Sequence, residues 1–303
     1  MAKLVECIPN FSEGRAADVI AALVRAANSV SGVVLLDYSS DADHNRSVFT
    51  LLGSPEGVAE AAFILCKTAR DFIDMTKHRG GHPRIGATDI IPFVPIRDCT
   101  IGECVALSVG VAERIAEELG IPCFLYEDSC SMESRRNLAS IRKGGFEGMP
   151  RKLLMKEWAP DFGEPKIHPT AGVTAVGARG LLVAFNVNLN TDNLNIAKEI
   201  AETIRESDGG FKFCKAIGVM LNSKNLAQVS MNMLNCDATP LYVVFEAIRA
   251  EAGRRGVSVA GSEIVGLAPS KALVDCAGYY MKINNFGPDK QTLENRVLEY
   301  IDA

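Results

Sequence analysis

The order β-α-β-β-α-β, read twice along one chain, constrains this sequence more than any single motif. "KLVECIPNF" gives a short strand entering a turn, and residues 15–29 place Val19, Ile20, Leu23 and Val24 on one helical face. "GVVLLDYS" is a strongly apolar run that predicts a strand central in its sheet. "RSVFTLLGS" predicts another strand from its β-branched and aromatic residues. Ser54 and Pro55 open a helix to about Asp74, as N-cap and first helical residue. "DIIPFVPI" is the next strand, where Pro92 and Pro95 predict an edge or a bulge. A helix ending at Gly120 and the strand "PCFLYE" extend this half.

The second half repeats the order: strand 181–189, helix 193–206, paired strands 214–221 and 226–234, helix 240–255, strand 257–267. The repeat is one of pattern and carries little sequence identity. It predicts an α+β protein of two tandem ferredoxin-like (split βαβ) subdomains, residues 1–180 and 181–303, with a ligand groove between them. Residues 127–172 form a less regular connection, rich in Gly, Pro and charge, with helical signal near 133–142. A stretch that long without periodicity is more often functional than idle.

Composition removes several functions. A chain of 303 residues, 48% hydrophobic and 23% charged, suits a soluble globular protein with a sizeable core. A net charge of −5 without a basic run argues against nucleic-acid binding. No stretch of 18 apolar residues exists and "MAKLVECIPNF" lacks a signal peptide's apolar run, so no membrane partner is expected. The nine cysteines are odd in number and lack Cys-x-x-Cys spacing, which predicts reduced thiols in the cytoplasm.

Titratable groups concentrate in "HRGGHPRIGATD", residues 78–89. His78 and His82 have a spacing that suits zinc ligands on a helix, but Gly80, Gly81 and Pro83 disfavour a helix there, and no metal is expected. His78 alone reads as a helix C-terminal cap. The functional reading makes His82 an acid–base group on a stiff loop. In it Gly80 and Gly81 supply unusual dihedrals and close approach, and Arg84 offers a fork for a carboxylate. In "PNFSEGR", Asn10 and Ser12 bind an anionic substrate group, or Ser12 simply caps the next helix. "SSDADHNRS" lacks the Gly and Glu of a calcium loop yet packs His44, Asn45 and Arg46 before a strand. "APDFGEPKIHPTAG" suits a wrapped, non-helical loop or a linker.

Taken together, "LVECIPNFSEGR", "HNRSVFT", "IDMTKHRGGHPRIGATDIIPFVP", "EWAPDFG", "VGARGLLVAFNVNL" and "KNLAQVSMN" resemble the formiminotransferases, folate-dependent enzymes of histidine breakdown and one-carbon metabolism. The resemblance covers most of the chain and implies two ferredoxin-like subdomains, a homodimer, and transfer of a formimino group between N5 of tetrahydrofolate and glutamate. The chain looks like the transferase unit without a cyclodeaminase. His82 matches the catalytic histidine. The folate loop matches Gly163, Glu164, Pro165, Lys166, Ile167, His168, Pro169, Thr170, Ala171 and Gly172, and a second contact falls at Gly209, Gly210 and Phe211. Arg46 and Arg84 are the candidates for a substrate carboxylate. Tetrahydrofolate enters as co-substrate, with no metal. Family members often carry a second acid where this chain has Ser39; if that carboxylate orients the histidine, either Asp37, Asp41 or Asp43 substitutes or the proton chemistry is altered. Two alternatives stand beside this reading: a glutamate formyltransferase using 5-formyltetrahydrofolate, and a folate-binding protein without catalysis.

Overall fold

In this computed structural model, which describes residues 2–287 and 291–302, the chain divides into two compact units, Met1–Gly180 and Leu181–Ala303. Each has its own sheet and its own apolar core, giving a mixed α+β protein.

The first unit contains strands β1 (Leu4–Cys7), β2 (Asn10–Phe11), β3 (Val33–Asp41), β4 (Arg46–Gly53), β5 (Thr88–Arg97), β6 (Cys123–Glu127) and β7 (Thr174–Ala178). Its long helices are α1 (Ala17–Ala27), α2 (Pro55–Phe72) and α3 (Ile101–Leu119). The sheet runs β3, β4, then β1 and β2, β5, β7 and β6, antiparallel except that β7 lies parallel to both β5 and β6. Val5, Cys7, Phe11, Phe49 and Leu51 turn to the helices and are fully buried with Leu23, Leu65 and Ile115. Ser54 caps α2, accepting from the Gly57 N–H at 3.1 Å. Thr100 and Glu103 form a reciprocal capping box on α3, which ends on Gly120 at φ +66°.

β3 differs from expectation, while β5 shows the bulge that is one of the two forms its prolines predict. β3 is an edge strand, paired with β4 alone among the described residues. Its apolar run alternates, and Val34, Leu36 and Tyr38 face solvent. β5 is internal despite its prolines, flanked by β1, β2 and β7. The sheet accommodates Pro95 at a register shift opposite Leu4/Val5. Pro92, which donates nothing, accepts from the Ile8 N–H at 3.1 Å.

The irregular connection resolves into short helices α4 (Glu133–Arg136), α5 (Leu138–Arg142) and α6 (Gly145–Lys152) before returning as β7. The second unit is β8 (Val183–Leu189), α7 (Leu194–Ile204), β9 (Cys214–Leu221), β10 (Leu226–Met233), α8 (Leu241–Arg254) and β11 (Val259–Val265), followed by α9 (Ser270–Met281) and α10 (Leu293–Asp302). Its antiparallel sheet has the order β11-β8-β10-β9. Among the described residues no helix is long and apolar enough to cross a membrane.

Candidate functional site

Asn45 organises the site. It leaves the β3–β4 turn at φ +49°, a left-handed conformation that asparagine tolerates better than most side chains. Its buried side chain accepts from the Gly14 N–H at 2.9 Å and donates to the Arg79 carbonyl at 3.0 Å. Its own carbonyl accepts from His78 Nε2 at 2.9 Å. One residue therefore ties three turns together. A Cβ on Gly80 would lie 2.2 Å from the His44 carbonyl oxygen, so this glycine serves close backbone approach. Neither Gly80 nor Gly81 adopts positive φ, contrary to the expectation of unusual dihedrals.

His78 is buried and structural. Nε2 donates to the Asn45 carbonyl, and Nδ1 accepts from Arg84 Nε at 3.1 Å, which fixes the neutral tautomer. Burial pushes its pKa below the ordinary imidazole value. It caps no helix, because that donor is spent on Asn45.

His82 is half-buried, with Nε2 at 2.6 Å from Arg46 Nη1. A guanidinium only donates, so Nε2 takes this bond with its lone pair and the ring proton sits on Nδ1. Burial first, then the charges of Arg46, Arg142 and His44, holds its pKa well below 6.5. The ring is thus neutral near pH 7, and its basic lone pair is already engaged. Among the described residues no carboxylate lies within ion-pair reach of it. Asp41, one of the three acids offered for that role, pairs instead with His44 at 2.9 Å. That hydrogen bond lowers Asp41 to about 2. The His44 ring centroid is 6.1 Å from that of His82.

The two candidate arginines differ in occupancy. Arg84 spends its fork on Glu147, with bonds of 2.9 and 2.7 Å, and its Nε on His78. Arg46 has no acid within ion-pair distance among the described residues. Burial and the neighbouring Arg142 lower its pKa to about 10, against the opposing pull of Asp89 and Asp41. Arg142 is engaged by the buried Asp89, whose other oxygen accepts from the Ile85 N–H at 2.9 Å. Ser12, His44, Arg46, His78, His82 and Arg84 line a shallow recess that in this conformation is too tight to enclose even a water molecule.

Asn10 and Ser12 are buried and turned to backbone: Asn10 donates to the Ile8 carbonyl at 3.0 Å, and Ser12 to that of Gly86 at 2.7 Å. Ser12 does not cap α1. No side chain caps α1; in the turn before it the Glu13 carboxylate accepts from the N–H groups of Arg15 and Ala16 at 2.7 and 2.9 Å.

The loop from Gly163 to Gly172 is fastened to the strand behind His82. Thr170 and Ala171 carbonyls accept from Met75 and Ala87, each at 2.8 Å, and Val173 N–H donates to Ile85 at 3.1 Å. His168 and Gly172 close the loop with a reciprocal pair at 3.1 Å. Gly163, Glu164, Pro165 and Lys166 are exposed at its tip, with Ile167 half-buried behind them and Pro169 exposed. A Cβ on Gly172 would lie 2.3 Å from the Ile85 carbonyl oxygen. Gly209, Gly210 and Phe211 lie in the other unit, in the turn after α7. There Gly210 and Phe211 donate to Arg205 and Ile204, and a Cβ on Gly210 would meet Ile204 at 2.4 Å. Sequence reasoning missed Arg142 and Glu147, which lie in the irregular connection where no periodicity points inward.

A family model for the N-terminal subdomain of the formiminotransferase domain matches residues 4–179, and one for the formiminotransferase domain matches residues 184–296. The chain belongs to the formiminotransferase family. A glutamate formimidoyltransferase from Streptococcus pyogenes is 63% identical over 298 residues, spanning 98% of this chain and 100% of that protein. One from Thermoplasma acidophilum is 46% identical, over 98% of this chain and 97% of its own length. The chicken formimidoyltransferase-cyclodeaminase is 44% identical over 93% of this chain, which spans about half, 53%, of that longer protein. Within this formiminotransferase chain, His82 and the 163–172 loop are joined through Ile85, Ala87 and Ala171.

Proposed function

We infer that His82 carries the proton in a transfer of the formimino group between N5 of tetrahydrofolate and the amino group of glutamate. The transferase activity follows from the family and from full-length likeness to proteins of that name. The observation that carries the residue assignment is the Arg46–His82 contact. In this reading the glutamate carboxylate draws Arg46 off Nε2, which frees the lone pair and removes one of the charges depressing its pKa. His82 then takes a proton from the substrate ammonium. The amine attacks the formimino carbon of 5-formiminotetrahydrofolate, giving a tetrahedral intermediate. The C–N5 bond breaks as the imidazolium returns its proton to N5, releasing tetrahydrofolate and formiminoglutamate. An imidazolium of depressed pKa is a strong acid, which suits this second step.

Folate contacts are assigned to the 163–172 loop and to Gly209–Phe211, within two ferredoxin-like subdomains (1–180 and 181–303) enclosing a groove. The order β11-β8-β10-β9 supports the ferredoxin-like reading of the second subdomain. A cytoplasmic homodimer completes the proposal, checked by light scattering. The deciding assay mixes pure protein with 5-formimino- or 5-formyltetrahydrofolate, with and without glutamate. Release of formiminoglutamate only when the formimino donor and glutamate are both present is expected. Folate retention without product would leave a binding protein.

A further inference from the structure

Proton balance in the transfer asks for a second base beside His82. Glutamate brings three N–H bonds on its ammonium nitrogen, and formiminoglutamate keeps one of them. N5 of tetrahydrofolate gains one proton, and the terminal formimino nitrogen ends as it began. Each transfer from 5-formiminotetrahydrofolate to glutamate therefore releases one proton. His82 takes the first proton and returns it to N5, which restores the neutral ring. The second leaves the attacking nitrogen as the tetrahedral intermediate collapses, while His82 is giving its own proton to N5. Another acceptor has to stand close by.

The recess of His82 holds one candidate. His44 sits in the turn between β3 and β4, lines the same recess, and has a side chain only 13% exposed. Its Nδ1 lies 2.9 Å from Asp41 Oδ2. A carboxylate only accepts, so the neutral ring carries its proton on Nδ1 and its lone pair on Nε2. Among the described residues no hydrogen bond engages that Nε2, whereas Nε2 of His82 is held by Arg46. Asp41 Oδ1 accepts from the His44 N–H at 2.8 Å, which is enough to close the turn, so the ring contact is additional. Lowered to about 2, Asp41 stays charged behind the ring and stabilises an imidazolium there. The two rings are fixed to one another through backbone. Gly81 N–H donates to the Asp43 carbonyl at 3.1 Å, and Gly80 packs against the His44 carbonyl, leaving the ring centroids 6.1 Å apart. The Asp41 side chain is 49% exposed, so the far side of the pair borders solvent.

We propose that His44, backed by Asp41, is a second catalytic base that accepts at Nε2 the proton shed by the attacking nitrogen and passes it to solvent. In that step an N–H bond of the glutamate nitrogen breaks, its electron pair stays on nitrogen, and an Nε2–H bond forms. The C–N5 electron pair leaves with N5, which takes up the proton of His82. The inference rests on the His82 reading above and assigns the proton that His82 cannot carry. The test compares wild type, His44→Ala and Asp41→Asn in steady-state kinetics with 5-formiminotetrahydrofolate and glutamate, with and without added imidazole. His44→Ala should lose about 100- to 10,000-fold in kcat, the contribution of general acid–base catalysis. It should keep the wild-type KM for glutamate and the wild-type affinity for tetrahydrofolate. Its turnover should rise in proportion to added imidazole, which the loss of a merely structural ring would not produce. Asp41→Asn keeps an oxygen for the His44 N–H but removes the charge, and should lose about 10-fold, the difference between a charge-assisted and a neutral hydrogen bond. Turnover of His44→Ala within about threefold of wild type overturns the proposal, and so does a folded, slow His44→Ala that imidazole leaves unchanged. Should His44→Ala fail to fold, full wild-type turnover in Asp41→Asn overturns it alone. Near-normal turnover in His82→Ala instead removes the reading on which it stands.

Discussion

The two sheets share a local order of strands and carry opposite chemistry. The first ends in a recess of imidazoles and guanidinia, where Arg46 touches His82 and Arg142 engages Asp89. The second gathers neutral amides around one carboxylate, with no cation at ion-pair distance among the described residues. The difference is one of charge. Crowded cations depress the pKa of a neighbouring imidazole and attract acids, which is useful where a proton moves and a carboxylate binds. Amides supply fixed donors and acceptors without charge. The second is built by strand register, since adjacent polar positions on one face meet across the ladder, whereas the first is built by turns tied through Asn45.

The sharpest way to break this comparison is His82→Ala. If the first recess is where the proton moves, turnover falls about 100- to 10,000-fold, the contribution of general acid–base catalysis, while tetrahydrofolate binding is retained. Steady-state kinetics beside equilibrium binding reads both. A variant within threefold of wild type would strip the recess of its chemical role. A second contrast sets Asn45→Ala against Asn188→Ala. Asn45 bonds the Gly14 amide and the Arg79 carbonyl from a buried, left-handed position, and its loss leaves both without that partner. We expect a stability loss of about 3 kcal/mol by denaturant unfolding, the sum of two such vacancies. Asn188→Ala removes one acceptor from Gln228, which keeps Glu263, and should cost about 1 kcal/mol or less. Equal losses would mean that both clusters are merely structural.

The sequence makes the strands and long helices legible because apolar periodicity and caps are local. Ser54, Thr100 and Gly120 mark helix ends through bonds within a few residues. Long-range spending of polar groups is not local. Ser12 looks like a cap in sequence but donates to Gly86, seventy-four positions away. Arg84 looks free for substrate but meets Glu147, and Asp41 looks aimed at His82 but meets His44. β3 reads as central from its apolar run, yet an edge strand can bear the same residues when one face stays wet. His82 stands out because glycine and proline around an imidazole are unusual at any range.

Arg46→Gln sharpens the comparison at intermediate cost. A lost charge-assisted contact to the glutamate carboxylate is worth roughly 1.5–3 kcal/mol, about a 10- to 150-fold rise in KM for glutamate. The acid limb of kcat/KM should lie below pH 6.5 in wild type, because the free-enzyme pKa of His82 is depressed. It should move upward in Arg46→Gln, which removes one depressing charge. A limb that stays in place would separate Arg46 from the titration of His82.

The smallest effect tests the two units by acid alone. All four histidines, His44, His78, His82 and His168, lie in the first unit, and the second has none. Burial is the leading cause of the depressed pKa at His78, His82 and His168, so these rings resist protonation when folded. Below about pH 6.5 the unfolded chain binds protons that the folded chain refuses, and stability must fall as pH falls. Each ring adds a slope of at most about 1.4 kcal/mol per pH unit. Carboxylates whose pKa is lowered in the second unit, Asp208, Glu246 and Glu251, start from 3.8 or 4.5 and contribute only at lower pH. Between pH 6.5 and 5, acid should therefore loosen the first unit before the second. Hydrogen exchange, corrected for intrinsic rates, should lose protection around α2 and β5 while β8 and β10 hold theirs. Equal loosening in both units would show that the imidazoles of the first are not what its acid stability depends on.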